Sequence, residues 1–263
     1  GTTLGADNGI GLSACLAVLA SKDVVHGPLE VLVTTDEEAG MTGAFGLEAG
    51  WLDGEILLNT DSEDEGEVYM GCAGGIDVNV SLPVEFNSVN PAHAAFILSI
   101  KGLKGGHSGV DIHTGRANAN KLLARFFKQF SQLELSISTF AGGSLRNAIP
   151  RESVAKVIVA GMYDEAFVFD MQEIINDIKF EFKTTEPNLT IEIVKSDLPK
   201  SVMDLGVQEG LLRAIYSAHN GVYRMSADME DLVETYNIPN VHDNKEYNKM
   251  GLTLMKQAGI IIM

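Results

Sequence analysis

One ten-residue stretch, Val31–Gly40, limits what this chain can fold into more than any other. It reads Val-Leu-Val-Thr-Thr-Asp-Glu-Glu-Ala-Gly. An apolar run rich in β-branched residues stops at three consecutive acids, and a glycine follows. That is the pattern of a buried strand running into a site. In α/β sheets, ligands lie in the crevice beyond the carboxyl ends of strands. Adjacent carboxylates there repel one another unless protons or cations compensate them. A solvated acidic loop would show the same local pattern, so the neighbouring segments have to decide.

Composition narrows the classes. The chain has 263 residues, enough for one large domain or two ordinary ones. Nineteen basic against 36 acidic side chains give a net charge of −17. A general nucleic-acid binder needs a basic face for phosphates, so that class is excluded. Cys15 and Cys72 form neither a disulfide framework nor a Cys-x-x-Cys pattern, which points to a reducing, cytoplasmic setting. No apolar run approaches the ~18–20 residues of a membrane span, and no signal peptide is visible.

Taken in order, Gly1–Gly11 is glycine-rich, and the Asp7-Asn8-Gly9 turn signal leads into a helix over Ile10–Ser21. Cys15 falls on its apolar region and is expected in the core. Leu29–Thr35 and Ile56–Asn59 are expected strands. A helix over Met41–Ala49 lies between them, with Trp51 packed beneath it. Strand, helix, strand with apolar strands predicts a mostly parallel sheet covered on both faces. The texture changes near Gly74. Ile76–Leu82 and Ala94–Lys101 alternate like antiparallel strands with one wet face. A glycine-rich loop, Gly102–Gly115, precedes a helix over Arg116–Gln132. Strands over Ile137–Phe140, Val154–Val159 and Leu189–Val194 follow, with helices over Asp164–Phe182 and Val207–Ala218. Tyr236–Lys249 is polar and lacks periodicity. The fold class is therefore α/β: a partial mixed or parallel-sheet domain over 1–74, then an α+β domain over 75–263 with an atypical tail from about 236.

Three acidic spots belong together. Asp7 lies in the loop entering the first helix, while Asp36–Glu38 and Asp61 follow expected strand ends. Carboxylate oxygens suit hard or borderline cations, and a Glu beside a ligand can serve as general base toward water. Each residue also has a plainer reading. Asp7 can form a turn, Asp61 can cap a short helix, His107 can be an exposed loop residue, and Asn147 can shape the turn before Pro150. His113 is expected to pack or cap locally, and His26, His93, His219 and His242 to lie on the surface.

The segments Leu4–Gly11, Thr35–Gly40 and Asn59–Ser62, in that order, resemble the di-zinc metallopeptidases, which include carnosinase-like dipeptidases and glutamate-releasing carboxypeptidases. The segment Gly105–Asn118 (Gly-Gly-His-Ser-Gly-Val-Asp-Ile-His-Thr-Gly-Arg-Ala-Asn) resembles their bacterial aminoacyl-histidine dipeptidase branch. The resemblance runs from Gly1 to about Thr235. It implies a peptidase domain followed by a lid domain that makes a homodimer. It implies two zinc ions per site, with cobalt or manganese as substitutes, and a dipeptide with C-terminal histidine as substrate. Asp7 would bridge the metals, next to a cis Asp7–Asn8 peptide. Glu38 and Asp61 would ligate one metal each, and Glu37 would be the general base. His107 would reach the partner's active site and stabilise the oxyanion, and Asn147 would bind substrate or oxyanion.

The chain also departs from that family. The upstream His-x-Asp ligand and the late histidine ligand of the family have no counterpart here, so an incomplete chain is expected. A non-catalytic dimerising module and a related N-acyl amino acid amidohydrolase stand as the alternatives.

Overall fold

The computed structural model describes residues 6–61, 65–69, 71, 74–130, 135–143, 145, 147–244 and 249–258; the side chains of 38, 39, 242–244 and 249–258 are outside that description. The chain divides into two compact units, Gly1–Met70 and Gly71–Met263.

In the first unit, helix α1 spans Gly9–Ala20, close to its expected range. Asn8 starts it by accepting a hydrogen bond from the Gly11 N–H at 2.8 Å, which satisfies one of the free donors of the first turn. Two one-turn helices follow, α2 over Glu37–Gly40 and α3 over Thr42–Phe45, in place of the single helix expected from Met41. Met41, in a left-handed backbone conformation, separates the two, and Asp36, also left-handed, precedes α2.

The two expected strands of this unit differ from expectation. Leu29–Thr35 and Ile56–Asn59 carry no strand pairing among the described residues. A strand is defined by a ladder, and neither segment finds a partner within the unit. Ile56, Leu57 and Leu58 are consequently more than four-fifths exposed, at 83, 82 and 81%. Trp51 is 64% exposed rather than packed beneath a helix, and Cys15 is only half-buried. Helix α1 is apolar on nearly every side, a composition suited to burial all round. Gly11 is its one buried residue.

The second unit matches the expected α+β pattern closely. Strands β1 (Gly74–Pro83), β2 (Phe86–Ser88), β3 (His93–Lys101), β4 (Ser136–Gly142) and β5 (Ser153–Ala160) come first. Then come β6 (Thr190–Ser196), β7 (Ser201–Met203), β8 (Gly221–Met225), β9 (Val233–Asn244) and β10 (Lys249–Ala258). The main sheet runs β1-β10-β9-β4-β5-β3-β6, with β8 also paired to β9 and β2 paired to β7 apart from it. Every pairing is antiparallel, with β3 aligned on β5 from His93↔Ala160 to Ile100↔Ser153.

Helices α5 (Ala119–Gln129), α6 (Asp164–Glu181) and α7 (Leu205–Ser217) contribute the apolar side chains facing this sheet. Phe126 and Phe127 of α5, Phe167 and Met171 of α6, and Ile215 of α7 meet Phe96, Leu98 and Ile100 of β3 in one core. Residues two apart on β3 point to the same face, which is why its even positions are the core-facing ones. Helix α5 begins at Ala119, later than expected, because Asn118 is its cap: its Oδ1 accepts from Asn120 N–H at 2.9 Å and Lys121 N–H at 3.4 Å. Lys121 in turn closes the far end of α7, its ammonium donating to the Ile215, Tyr216 and Ala218 carbonyls. Burial lowers its pKa.

The stretch from Tyr236, polar and without clear periodicity, lies in β9 as far as Asn244, and β10 pairs with β9 antiparallel. Ladder bonds come from the backbone, so a strand can form without side-chain alternation. No described helix is long and apolar enough to cross a membrane.

Candidate functional site

The acidic residues of the first unit are set by backbone ties. The Asp7–Asn8 peptide is cis. The Asn8 amide donates to the Thr60 carbonyl at 2.6 Å, so the start of α1 lies against the residue preceding Asp61. Gly11 permits that approach, since a Cβ there would collide with the Thr60 hydroxyl and the Asn8 amide. The Asp61 N–H is turned back onto the Asn59 side chain at 2.9 Å. Asp36 reverses the chain with φ 61°, and its carboxylate accepts from the Thr42 hydroxyl at 2.8 Å. Its carbonyl takes the Met41 N–H at 2.6 Å, closing the one turn that carries Glu37 and Glu38.

The structure therefore places Asp7 and Asp61 on two segments joined by a hydrogen bond, and sets Glu37 on α2. The Glu38 side chain lies outside the described residues. Carboxylate oxygens are donors that hard and borderline divalent cations accept, so the donor type fits a metal. Among the described residues no group of three or more His, Cys, Asp or Glu side chains is gathered closely enough to hold one.

The second unit brings His107 and Asn147 together. His107 and Ala148 form an antiparallel bridge, the Ser108 N–H donates to the Asn147 carbonyl at 2.8 Å, and the Ile149 N–H donates to the Gly106 carbonyl at 2.9 Å. Both side chains are exposed at this junction. His107 caps the single-turn helix α4 (Ser108–Asp111), its Nδ1 accepting from the Gly109 N–H at 3.1 Å. With Nδ1 accepting, the donor nitrogen of the ring is Nε2. An N–H directed at an acyl oxygen is what oxyanion stabilisation requires.

Several residues that the sequence did not mark hold this loop. Asp111 accepts from the His107 N–H at 2.8 Å and pairs with Arg116 at 2.8 Å. Arg116 also donates to the Gly105 carbonyl at 2.7 Å. Gly106, at φ 128°, is required here, because a Cβ would collide with both the Arg116 guanidinium and the Asp111 carboxylate. Beneath the loop, the Tyr236 hydroxyl of β9 donates to the fully buried Ser108 hydroxyl at 2.8 Å. Burial pushes the Tyr236 phenol above its ordinary pKa, and the Ser108 bond pulls the other way. Asp111 has a local signal, four residues after His107 in a glycine-rich stretch. Tyr236 has none.

A cavity of about 380 Å³ beside α5 is lined by Arg116, Lys121, Arg125, Tyr216, His219 and Asn220 among others. Its cations are already engaged: Lys121 by three carbonyls, Arg125 by Glu181, and Arg116 by Asp111. Of the remaining histidines, His26 and His219 are exposed as expected, whereas His113, expected to pack or cap locally, is exposed and His93, expected on the surface, is not. His93 is half-buried with its Nδ1 enclosed and without a partner. The His242 side chain and Cys72 lie outside the described residues.

Comparison with known proteins places the chain in a family. Residues 98–190, which include the His107 loop and the Asn147 turn, match the family model of a peptidase dimerisation domain. The cytosol non-specific dipeptidase of Escherichia coli (strain K12) is 48% identical over 239 residues, which is 89% of this chain and 49% of that protein. The crystal structure of aminoacylhistidine dipeptidase from Vibrio alginolyticus aligns with a TM-score of 0.79 at 46% identity, covering 98% of this chain and 53% of that one. The chain spans about half the length of these relatives. It has the mixed α/β fold expected of such a peptidase, and it belongs to the dipeptidase family that these two proteins represent.

Proposed function

We propose that this chain is part of a metal-dependent dipeptidase that hydrolyses dipeptides with C-terminal histidine. The observation that carries the reading is the junction of the His107 and Asn147 segments, where the exposed His107 ring accepts from the Gly109 N–H on Nδ1 and keeps Nε2 as its donor, and the Asn147 side chain is also exposed. Asp7, Glu38 and Asp61 would hold two divalent ions, zinc by preference. When bound, such ions would polarise the scissile carbonyl and make water a better nucleophile. Glu37 takes the proton of the attacking water on its carboxylate and returns it to the leaving nitrogen. His107 donates from Nε2 to the developing oxyanion, acting on the site of the other protomer in a homodimer, and Asn147 holds the substrate. The setting is cytoplasmic.

The test is direct. After chelation and zinc back-titration, metal content and β-alanyl-histidine hydrolysis are measured together, with an N-acyl amino acid as the competing substrate. Glu37→Gln should lower turnover by roughly 10²-fold or more while metal content stays at the wild-type level. Loss of metal together with activity refutes Glu37 as the base.

One observation favours a second reading. Residues 98–190, which match a peptidase dimerisation domain, suit a non-catalytic dimerising module. Stoichiometric zinc with turnover would exclude it.

A further inference from the structure

The His107 loop is rich in glycine, including Gly105, Gly106, Gly109 and Gly115. Such a segment has much conformational freedom to lose and does not fix a side chain unaided. Its interior is braced by Asp111 and Arg116. Its two ends meet one side chain. Glu186, which follows α6, accepts from the Lys104 N–H on one carboxylate oxygen at 2.8 Å and from the Ala117 N–H on the other at 3.0 Å. Glu186 is only 2% exposed. Its own backbone is anchored, its N–H donating to the Phe182 carbonyl at 2.7 Å and its carbonyl accepting from the Leu189 N–H at 3.1 Å.

A buried carboxylate is costly unless its oxygens are hydrogen-bonded. Among the described residues, backbone donors meet both oxygens here. The acid type is required by that pattern. A glutamine offers one acceptor oxygen and turns its NH₂ toward the second backbone N–H. An apolar residue would leave both loop-end donors unsatisfied.

We propose that Glu186 is the positioning residue of His107: its carboxylate clasps the backbone at Lys104 and Ala117 and so holds the loop in the shape that turns the imidazole Nε2–H outward. That His107 meets substrate rests on the function proposed above; the clasp does not.

The experiment is NMR on the ¹⁵N-labelled chain, comparing wild type with Glu186→Gln and Glu186→Asp. Glu186→Gln should lower exchange protection of the Lys104 and Ala117 amides by roughly tenfold or more. It should also move the His107 ring nitrogens from a single-tautomer pattern toward an averaged one. The Leu98 and Val157 amides of the core strands should stay protected. Glu186→Asp, which keeps the carboxylate, should restore part of the ring signature. Unchanged loop amides and unchanged ring signals in Glu186→Gln overturn the proposal. So does a glutamine effect that aspartate fails to relieve at all. If Glu186→Gln does not fold, the wild type decides: both amides lie outside helices and strands, and fast exchange of either one overturns the clasp. A His107→Ala variant that leaves dipeptide hydrolysis untouched would instead remove the role of His107 and leave the clasp standing.

Discussion

At the scale of single residues, the second unit depends on polar groups whose partners come from far along the chain. Ser108 is fully buried, and the Tyr236 hydroxyl is the donor that reaches it. Tyr236→Phe keeps the ring and removes that donor. The expected cost is about 1–2 kcal/mol of unfolding free energy, read by urea denaturation, because a buried hydroxyl loses its partner. A change below about 0.3 kcal/mol would mean that Ser108 finds another partner readily. The motif around His107 was readable from the sequence, as was Asn147 before Ala148-Ile149-Pro150. Their adjacency was not, since it rests on backbone bonds such as Ser108 N–H to the Asn147 carbonyl. Glu186 was equally invisible. It acts 82 residues from Lys104 and 69 from Ala117, and no local spacing marks it.

At the scale of elements, periodicity served well wherever an element had both a patterned face and a partner. Helices α5, α6 and α7 and strands β3, β5 and β6 fall within a few residues of their expected ranges. The strands expected at Leu29–Thr35 and Ile56–Asn59 failed for a definite reason: an apolar run becomes a strand only when another strand supplies its ladder. The opposite error occurred in β9, whose residues from Tyr236 to Asn244 form a ladder with β10 although that stretch shows no clear periodicity.

Helix α7 also carries a pH dependence. Its cap Asp204 accepts from the Gly206 N–H at 2.8 Å and the Val207 N–H at 3.3 Å, and these bonds, Gly206 first, lower its carboxyl pKa. The folded value lies below the unfolded one. The cap therefore stabilises fully above the ordinary carboxylate range of about 3.9, and that contribution is lost as pH falls through the lowered value. Thermal midpoints of wild type should exceed those of Asp204→Asn near neutrality and converge with them as pH falls through the lowered value. A constant gap would rule out titration of this cap.

At the scale of the whole molecule, the apolar core is unevenly shared. Every buried apolar side chain among the described residues lies at Val84 or beyond, whereas Ile10, Val25, Trp51 and Ile56–Leu58 are exposed. Cooperative unfolding should therefore belong to the second unit. A fragment of residues 71–263 should melt within a few degrees of the intact chain and bind less of a hydrophobic dye, since its largest exposed apolar stretches are gone. A fragment that fails to melt cooperatively would show that the first unit contributes to the core after all.

The Glu186 contact also has a meaning in time. Synthesis at roughly 5–20 residues per second means that the 69 residues from Ala117 to Glu186 take roughly 3–14 s to emerge. Throughout that interval the nascent loop bearing His107 has left the ribosome without its closing carboxylate. Its shape is therefore not a local property acquired on emergence, but one conferred late by a residue still to be translated.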